Sequence, residues 1–327
     1  MPVSDFTPAD AAREVALAEP RIRPYVRETP LEPSPALSRA AGADVHLKLE
    51  TAQVTGSFKA RGALSKLLAL STEERGRGVV AASTGNHALA MAQALALLGI
   101  GGEIFLPASV SRAKLDALES RGARLRLIDD DPGLVETIAR RAADETGRVY
   151  VSPYNDPQVI GGQGTVAVEL RRQLAGVDAV LVPVGGGGLI SGIAAHLAAH
   201  APETQVVGCQ PSASPIMAES VRAGRLLELP SAASISDATV GLLEPGSITF
   251  PLCRDLVADW TQVDEPELRA AVRFVLERES LLVEGAGALP VAALLAAGKR
   301  WRGGKVALVL SGSHIAMPVL ADVLAGA

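Results

Sequence analysis

The feature that most restricts the fold is a regular alternation of short apolar segments with Ala/Leu-rich segments of helical length. Residues 45–50 are followed by a helical pattern over 57–70, and residues 78–83 by one over 86–98. Strands and helices that alternate at this spacing are typical of parallel sheets covered by helices on both faces. We therefore predict an α/β fold, in which ligands bind where the carboxyl ends of strands meet helix N-termini.

The same pattern continues to the end of the chain and predicts further elements. Strands are expected at 103–106, 124–128, 179–183, 205–208 and 305–310, and helices at 111–120 and 189–200. A seam between domains is indicated near residues 150–165, where the turn-rich segment 151–157 is followed by glycines at 161, 162 and 164, and a second possible domain crossing lies near 51–56. We predict a small domain of residues 54–150 and a large, discontinuous domain of residues 1–53 plus 151–327.

Composition excludes several classes of function. The 327 residues include 31 basic and 36 acidic side chains, a net charge of −5, and few aromatics, so nucleic-acid binding is not expected. Cys209 and Cys253 lie far apart without a ligand cluster, which predicts neither a disulfide framework nor a zinc site and fits the reducing cytoplasm. The N-terminal segment does not have the pattern of a signal peptide, and no apolar segment approaches the ~20 residues of a membrane span.

A run of four glycines lies between the predicted strand 179–183 and the predicted helix 189–200. Glycine lets backbone N–H groups approach an anion, and a helix N-terminus adds unpaired donors, so this turn suits a phosphate. A tight turn without a ligand is the alternative. The dinucleotide fingerprint G-x-G-x-x-G fails in every register, no acidic residue ends the strand 205–208, and no Walker A loop occurs, so a phosphate monoester fits better than a dinucleotide. The glycines are Gly185, Gly186, Gly187 and Gly188.

Lys59 lies at a predicted helix start among small and apolar residues. A helix N-terminus disfavours a cation and burial lowers the pKa of an amine, and both conditions favour a nucleophilic lysine. A solvated surface lysine is the alternative reading of this position taken alone.

A third motif lies between the predicted strand 78–81 and the helix that follows it. Its hydroxyls, amide and glycine would form a second anion site at a helix N-terminus, suited to a substrate carboxylate. Ordinary helix capping is the alternative, with the histidine as a structural hydrogen-bonding group. The residues are Ser83, Thr84, Gly85, Asn86 and His87.

Taken in order, Ser57-Phe58-Lys59, the 83–87 motif, the glycine run and Ser311-Gly312 resemble the fold-type II pyridoxal-phosphate enzymes. Within that group the chain is most similar to the threonine/serine dehydratases and serine racemase. The resemblance covers nearly the whole chain and implies a two-domain, tryptophan synthase β-like fold with parallel-rich twisted sheets.

The resemblance also implies residue roles. Lys59 would bind pyridoxal 5′-phosphate covalently and act in catalysis, with Phe58 beside the ring, Asn86 bonded to the ring oxygen and Ser311 at the pyridine nitrogen. Thr84 would be a second acid/base group. The phosphate would be held by Gly185, Gly186, Gly187, Gly188 and Leu189, and the substrate carboxylate by Ser83, Thr84, Gly85, Asn86 and His87.

The implied activity is a dehydratase, or ammonia-lyase, that converts a β-hydroxy amino acid to a 2-oxo acid. The alternatives are a racemase or a β-replacement enzyme of the same fold and, from a different class, a nucleotide-dependent oxidoreductase or a phosphate-ligand binding protein. A cytoplasmic homodimer without nucleic-acid or membrane partners is expected. Because the chain ends at Ala327, we expect no C-terminal regulatory domain.

Several positions depart from the family pattern. The family motif Ser-Gly-Gly-Asn is replaced by Ser-Gly-Ser-His at residues 311–314, so His314 stands at the position of the asparagine. Gln210 and Ile216 replace acidic residues that bind a divalent cation in serine racemase, so no metal site is predicted. Substitutions at 152–155 and 237–238 favour a substrate other than plain threonine. Candidates are 3-hydroxyaspartate, phenylserine and the 3-hydroxylated amino acid from hydroxyectoine breakdown.

Overall fold

A computed structural model of the chain describes residues 6–326 as alternating strands and helices. The strands within these residues are β1 (Leu31–Pro33), β2 (Asp44–Leu49), β3 (Val79–Ala82), β4 (Gly102–Pro107), β5 (Leu125–Ile128), β6 (Val149–Tyr150), β7 (Ala179–Pro183), β8 (Gln205–Pro211), β9 (Asp259–Val263) and β10 (Lys305–Leu310). The helices of the first half are α1 (Pro8–Ile22), α2 (Pro35–Ala41), α3 (Lys59–Ala69), α4 (Thr72–Arg77), α5 (Asn86–Leu98), α6 (Arg112–Glu119) and α7 (Val135–Thr146). Those of the second half are α8 (Pro157–Gln173), α9 (Gly188–His200), α10 (Ile216–Ala223), α11 (Thr249–Leu256), α12 (Glu265–Glu279), α13 (Gly285–Ala296) and α14 (Met317–Ala325).

The strands form two sheets. The larger has the order β1-β2-β10-β7-β8-β9 and is parallel except for β1, which runs antiparallel to β2. The smaller has the order β5-β4-β3-β6 and is parallel throughout. The predicted α/β fold with parallel-rich sheets is therefore confirmed. Within the described residues no helix has the length and apolar character needed to cross a membrane.

The apolar character of the strands explains where the cores lie. Every residue of β7 is buried, as is every residue of β10 after Lys305, because helices cover both faces of the larger sheet. The strands of the smaller sheet all lie between residues 79 and 150, whereas those of the larger sheet lie before residue 50 and after residue 178. The domain boundaries at 53/54 and 150/151 stay a prediction.

Three strands escape sequence prediction for identifiable reasons. β6 has only two residues, and β1 is a three-residue edge strand that ends in Pro33, whose missing N–H is tolerated at an edge. β9 is the opposite edge strand and has the mixed sequence Asp-Trp-Thr-Gln-Val, most of it half-buried. Edge strands contribute fewer buried side chains and so give a weaker apolar pattern.

The glycines that follow the predicted turn-rich segment 151–157 lie in the N-terminal half of helix α8. Its glycines permit close helix packing instead. A Cβ added to Gly162 would lie 2.5 Å from the carbonyl oxygen of Arg61 in α3, and one on Gly164 would lie 2.8 Å from the backbone of Gly192 in α9. Tertiary contact with both helices therefore outweighs the cost of glycine in a helix interior.

A buried ion network joins β2, α3 and α8. Arg61 Nη2 lies 2.8 Å from Glu50 Oε1, Arg61 Nη1 lies 2.7 Å from Glu169 Oε1, and Lys48 Nζ lies 2.7 Å from Glu169 Oε2. All four side chains are fully buried. Burial alone would raise the pKa of Glu169, but the hydrogen bonds and charge of Arg61, together with Lys48, lower it to about 2. Two buried cations and two buried carboxylates thus balance each other, and the half-buried Arg23, 2.8 Å from Glu169 Oε1, connects this group to Glu19.

We expect Glu169→Gln to destabilise the protein strongly, because the amide preserves shape but leaves Arg61 and Lys48 with one uncompensated positive charge. Removal of one partner of a buried ion pair costs about 3–5 kcal/mol of unfolding free energy. Urea denaturation measures the change. Arg77→Ala, which removes an exposed pair with Glu73 in α4, is the matched control and should cost less than about 1 kcal/mol. Equal losses in the two variants would contradict the prediction.

Candidate active site

Lys59 is the first residue of α3 and is held there by the end of strand β10. The backbone N–H of Phe58 donates to the carbonyl oxygen of Ser311 at 3.1 Å, and Ser57 pairs with Gly312 in an isolated antiparallel bridge. Two motifs more than 250 residues apart are thereby joined. The predicted cofactor-binding residues Phe58, Lys59 and Ser311 lie in one place.

The amine of Lys59 has an unusual environment. Its Nζ donates to the carbonyl oxygen of Pro153 at 2.8 Å and lies 5.1 Å from the centre of the Phe58 ring. Burial lowers the pKa of Lys59 from 10.5 to about 8, and the charge of Glu284 opposes the shift only in part. A substantial fraction of the amine is therefore neutral near physiological pH, as nucleophilic or proton-accepting lysines require.

The glycine run forms the turn from β7 into α9. Gly187 has a φ of +86°, in the left-handed region that favours glycine, and it precedes the first helical residue, Gly188. The amides of the first turn of α9, which include Leu189, have no acceptor within the helix, as in every α-helix. No side chain among the described residues caps them. A Cβ at Gly186 or Gly188 would collide with Tyr154. The turn thus offers several free N–H donors and no side chain of its own in front of them.

The 83–87 motif forms the corresponding turn from β3 into α5. Helix α5 begins at Asn86 after Gly85, again without a side-chain cap in the described structure, and Gly85 N donates to Ser83 Oγ at 3.2 Å. Ser83, Thr84 and Gly85 are half-buried, and the space beside the Gly85 Cα is open. This turn is therefore a second uncapped helix N-terminus with access from outside.

His87 does not offer its side chain to this opening. Its Nε2 lies 3.1 Å from the carbonyl oxygen of Val151, and burial, together with the charge of Lys59, lowers its pKa to about 3. The imidazole is neutral and ties α5 to the segment that follows β6. If His87 helps to hold the substrate carboxylate, as predicted, it does so through its backbone N–H and not through its imidazole.

Asn86 belongs to a hydrogen-bonded cluster with Glu284, which the family resemblance places near the cofactor ring, and with His314. Its Nδ2 lies 2.8 and 3.0 Å from the two carboxylate oxygens of Glu284, and its Oδ1 lies 2.6 Å from His314 Nδ1. The backbone N–H of His314 also donates to Glu284, at 3.0 Å. Burial raises the pKa of Glu284. The resemblance identifies the segment that begins at Glu284 but does not predict these hydrogen-bond partners.

Residues 152–155 connect the lysine to the glycine run. Pro153 accepts the bond from Lys59, and the ring of the next residue, Tyr154, packs against Gly186. Tyr154 Oη accepts a bond from Glu244 N at 2.9 Å, and Asn155 Nδ2 donates to the Glu244 carboxylate at 2.8 Å. Glu244 is a residue near the site that sequence reasoning missed.

Gln210, which stands where serine racemase has a metal-binding acidic residue, uses its side chain for hydrogen bonds to the protein backbone. Its Nε2 donates to the carbonyl oxygen of Val184 and its Oε1 accepts from Ala218 N at 2.8 Å, so it ties the end of β8 to α10. Ile216 is buried. Among residues 6–326 there is no group of three or more potential ligands suited to a metal ion.

These features fit pyridoxal phosphate. The phosphate requires N–H donors with close backbone access, which the uncapped glycine turn before α9 offers, and the aldehyde requires a neutral amine, which Lys59 offers. Asn86 is buried, and its side-chain amide is held in one orientation by Glu284 and His314. The residues present are therefore able to hold the group, and each individual role stays a prediction.

Comparison with known proteins agrees with this assignment. The chain matches the family model described as "Pyridoxal-phosphate dependent enzyme" over residues 22–312. It is 40% identical over 302 residues to an L-threonine ammonia-lyase of Thermotoga maritima, covering 92% of this chain and 75% of that protein.

Two solved structures share the whole architecture. Maize serine racemase superposes with a TM-score of 0.89 at 33% identity, covering 96% of both chains. The processed form of threonine deaminase isoform 2 from Solanum lycopersicum superposes with a TM-score of 0.91 at 30% identity, covering 97% of this chain and 87% of that one. The predicted fold-type II architecture is therefore confirmed, and the chain belongs to the family of pyridoxal-phosphate dependent enzymes.

Proposed function

We propose that the protein is a lyase that removes water and ammonia from a β-hydroxy amino acid of the threonine/serine type and releases a 2-oxo acid. The observation that carries the proposal is the buried amine of Lys59 beside the segment that packs on the uncapped glycine turn before α9. Its Nζ bonds to Pro153, whose neighbour Tyr154 packs on the glycine turn before α9. Its charge also acts on His87 at the start of α5. The threonine ammonia-lyase and threonine deaminase relatives support the same reaction.

Each part of this arrangement suits one requirement of the reaction. Pyridoxal phosphate, when bound, withdraws electrons from the substrate α-carbon and so makes its proton acidic. Lys59 Nζ, with a pKa of about 8, is able to accept that proton at neutral pH. The N–H groups at the start of α5 and the hydroxyls of Ser83 and Thr84 hold the substrate carboxylate. Loss of the α-proton and the β-hydroxyl amounts to loss of water, and hydrolysis of the resulting unsaturated amine returns water and releases ammonia.

The second candidate is a racemase, because the maize structure is a serine racemase and Thr84 provides a hydroxyl in the turn before α5. A racemase needs a second acid/base group on the face opposite the lysine. Elimination and racemisation share the first proton transfer, so both are compatible with the same site. A β-replacement enzyme would instead add a nucleophile such as sulfide to the unsaturated amine.

The cellular setting belongs to the same proposal. Cys209 and Cys253 are both buried and unpaired, and burial raises the pKa of each thiol, which is consistent with a reducing cytoplasm. We further propose the homodimer expected from the resemblance.

The pKa of Lys59 predicts how cofactor attachment depends on pH. Only the neutral amine attacks an aldehyde, so the rate of covalent attachment to apo-protein should rise with pH and level off above about pH 8. A lysine with an unperturbed pKa would level off near 10.4. Stopped-flow absorbance after mixing apo-protein with pyridoxal phosphate at a series of pH values measures the rate.

Lys59→Ala is the control for this experiment and should show no covalently attached cofactor. Lys305→Ala removes an exposed amine at the start of β10 and should leave the profile unchanged. A rate that continues to rise through pH 10 in the wild-type protein would contradict the lowered pKa.

The proposed reaction predicts 2-oxo acid and ammonia in equal amounts from one or more L-β-hydroxy amino acids. A panel of L- and D-serine, threonine, 3-hydroxyaspartate and phenylserine should be assayed with and without sulfide. Release that is unaffected by sulfide indicates a lyase, and consumption of the amino acid only when sulfide is present indicates β-replacement. A holoenzyme that racemises its substrates and releases no 2-oxo acid would refute the lyase proposal.

Thr84 variants separate elimination from racemisation. If its hydroxyl transfers the proton on the second face, Thr84→Ala should lower the rate of L/D serine interconversion about a hundredfold or more, the usual contribution of an acid/base group. Because elimination uses Lys59 for its proton transfer, kcat for 2-oxo acid release should change less than about threefold. Loss of the bond from the Thr84 hydroxyl to the substrate carboxylate should instead raise KM in both reactions. Thr84→Ser should retain both activities, and chiral chromatography distinguishes them. Equal losses of the two rates in Thr84→Ala would contradict this division of roles.

A further inference from the structure

His314 closes a cycle of hydrogen bonds around the side chain of Asn86. Its backbone N–H donates to Glu284 Oε2 at 3.0 Å, Glu284 accepts from Asn86 Nδ2 at 2.8 Å, and Asn86 Oδ1 lies 2.6 Å from His314 Nδ1. His314 follows β10, Glu284 immediately precedes α13, and Asn86 is the first residue of α5. The cycle therefore connects the small-sheet and large-sheet parts of the structure.

The directions of these bonds determine where the His314 proton lies. The Asn86 amide nitrogen faces a carboxylate, so the amide oxygen faces the imidazole, and an amide oxygen only accepts. Nδ1 of His314 must therefore carry the hydrogen. Burial and the charge of Arg121 lower the pKa of His314, so at neutral pH the ring is neutral with Nε2 unprotonated.

Two backbone features at Gly56 accommodate and position the His314 imidazole. Gly56 has a φ of +70°, and a Cβ on it would lie 2.9 Å from His314 Cε1, so the ring rests where only glycine leaves room. The neighbouring Ser313 N donates to the Gly56 carbonyl oxygen at 3.1 Å. Gly56 is three residues before Lys59 in the chain. The segment that presents the lysine and the segment that presents His314 are thus held against each other.

We propose that His314 is a positioning residue for the cofactor, which acts through Asn86. Glu284 holds only the nitrogen of the Asn86 amide, and the second bond, from His314 Nδ1–H to Oδ1, fixes the plane of that amide. Asn86 is the residue expected to bond the ring oxygen of pyridoxal phosphate. The proposal rests on the cofactor and on that role of Asn86, and it does not depend on which reaction the holoenzyme performs.

Two amide substitutions test the geometry directly. In His314→Asn, the amide nitrogen is two bonds from Cβ, as Nδ1 is in histidine, so it can donate to Asn86 Oδ1. In His314→Gln the amide nitrogen is one bond farther away and cannot replace Nδ1 without displacement. We therefore expect His314→Asn to retain cofactor affinity within about twofold, whereas His314→Gln and His314→Ala weaken it about three- to tenfold, the effect of one neutral hydrogen bond.

Affinity is measured by titrating apo-protein with pyridoxal phosphate and following the visible absorption of the bound cofactor. We expect the band position to change in the alanine and glutamine variants and to stay constant in the asparagine variant. His46→Ala removes a histidine that bonds to an exposed aspartate on β2 and should match the wild-type protein in every readout. Equal affinity and equal spectra in all the His314 variants would overturn the proposal.

A measurement on the unsubstituted apo-protein keeps the proposal testable if a variant fails to fold. NMR of nitrogen-15- and carbon-13-labelled apo-protein should show His314 as the Nδ1–H tautomer at neutral pH, with its ring signals assigned by through-bond correlation to the His314 backbone amide. An Nε2–H tautomer would overturn the proposal. None of these measurements uses a substrate, so they can fail while 2-oxo acid release succeeds, and the reverse also holds.

Discussion

The structure depends on a balanced group of buried charges next to the reactive lysine. Arg61 lies two residues after Lys59 in α3, and its guanidinium bonds to Glu50 after β2 and to Glu169 in α8. Four full charges without solvent are tolerable only because each has a partner at hydrogen-bond distance. Loss of Glu169 would leave Lys48 without a carboxylate partner, and loss of Arg61 would leave Glu50 without a cation, so the network fixes the first turn of α3 relative to both neighbouring elements. Because Lys59 is the first residue of α3, the network also fixes its position.

The same network shows what sequence reasoning can and cannot provide. The bounds of β7 at 179–183, β10 at 305–310 and α5 at 86–98 agree with the predicted ranges, because buried central strands and an apolar helix have strong periodic patterns. Partner choice has no such local signal. Arg61 and Glu169 are 108 residues apart in the chain, and nothing in their neighbourhoods identifies one as the partner of the other.

Glycine illustrates why local propensity misleads in one place and informs in another. In the turn before α9, Gly187 has a positive φ, and the glycine run was correctly placed between a strand and a helix. In α8, glycines that favour a turn by propensity occupy a helix interior because α3 and α9 approach too closely for a side chain. Backbone conformation decides the first case and tertiary packing decides the second. The sequence records the residue type in both cases and does not record the reason.

Lys59 and Glu284 show how the site keeps an amine reactive beside a carboxylate. Burial lowers the pKa of Lys59 and raises that of Glu284, so desolvation drives both groups towards their neutral forms, while their mutual attraction opposes both shifts. No ion pair between them forms in the described structure. The Glu284 oxygens are instead occupied by Asn86 Nδ2 and the backbone N–H of His314, and Lys59 Nζ donates to Pro153. A direct Lys59–Glu284 bond would stabilise the protonated amine and raise its pKa, and would thereby remove the nucleophile. The hydrogen bonds that hold Glu284 away from Lys59 are therefore part of what keeps that pKa near 8.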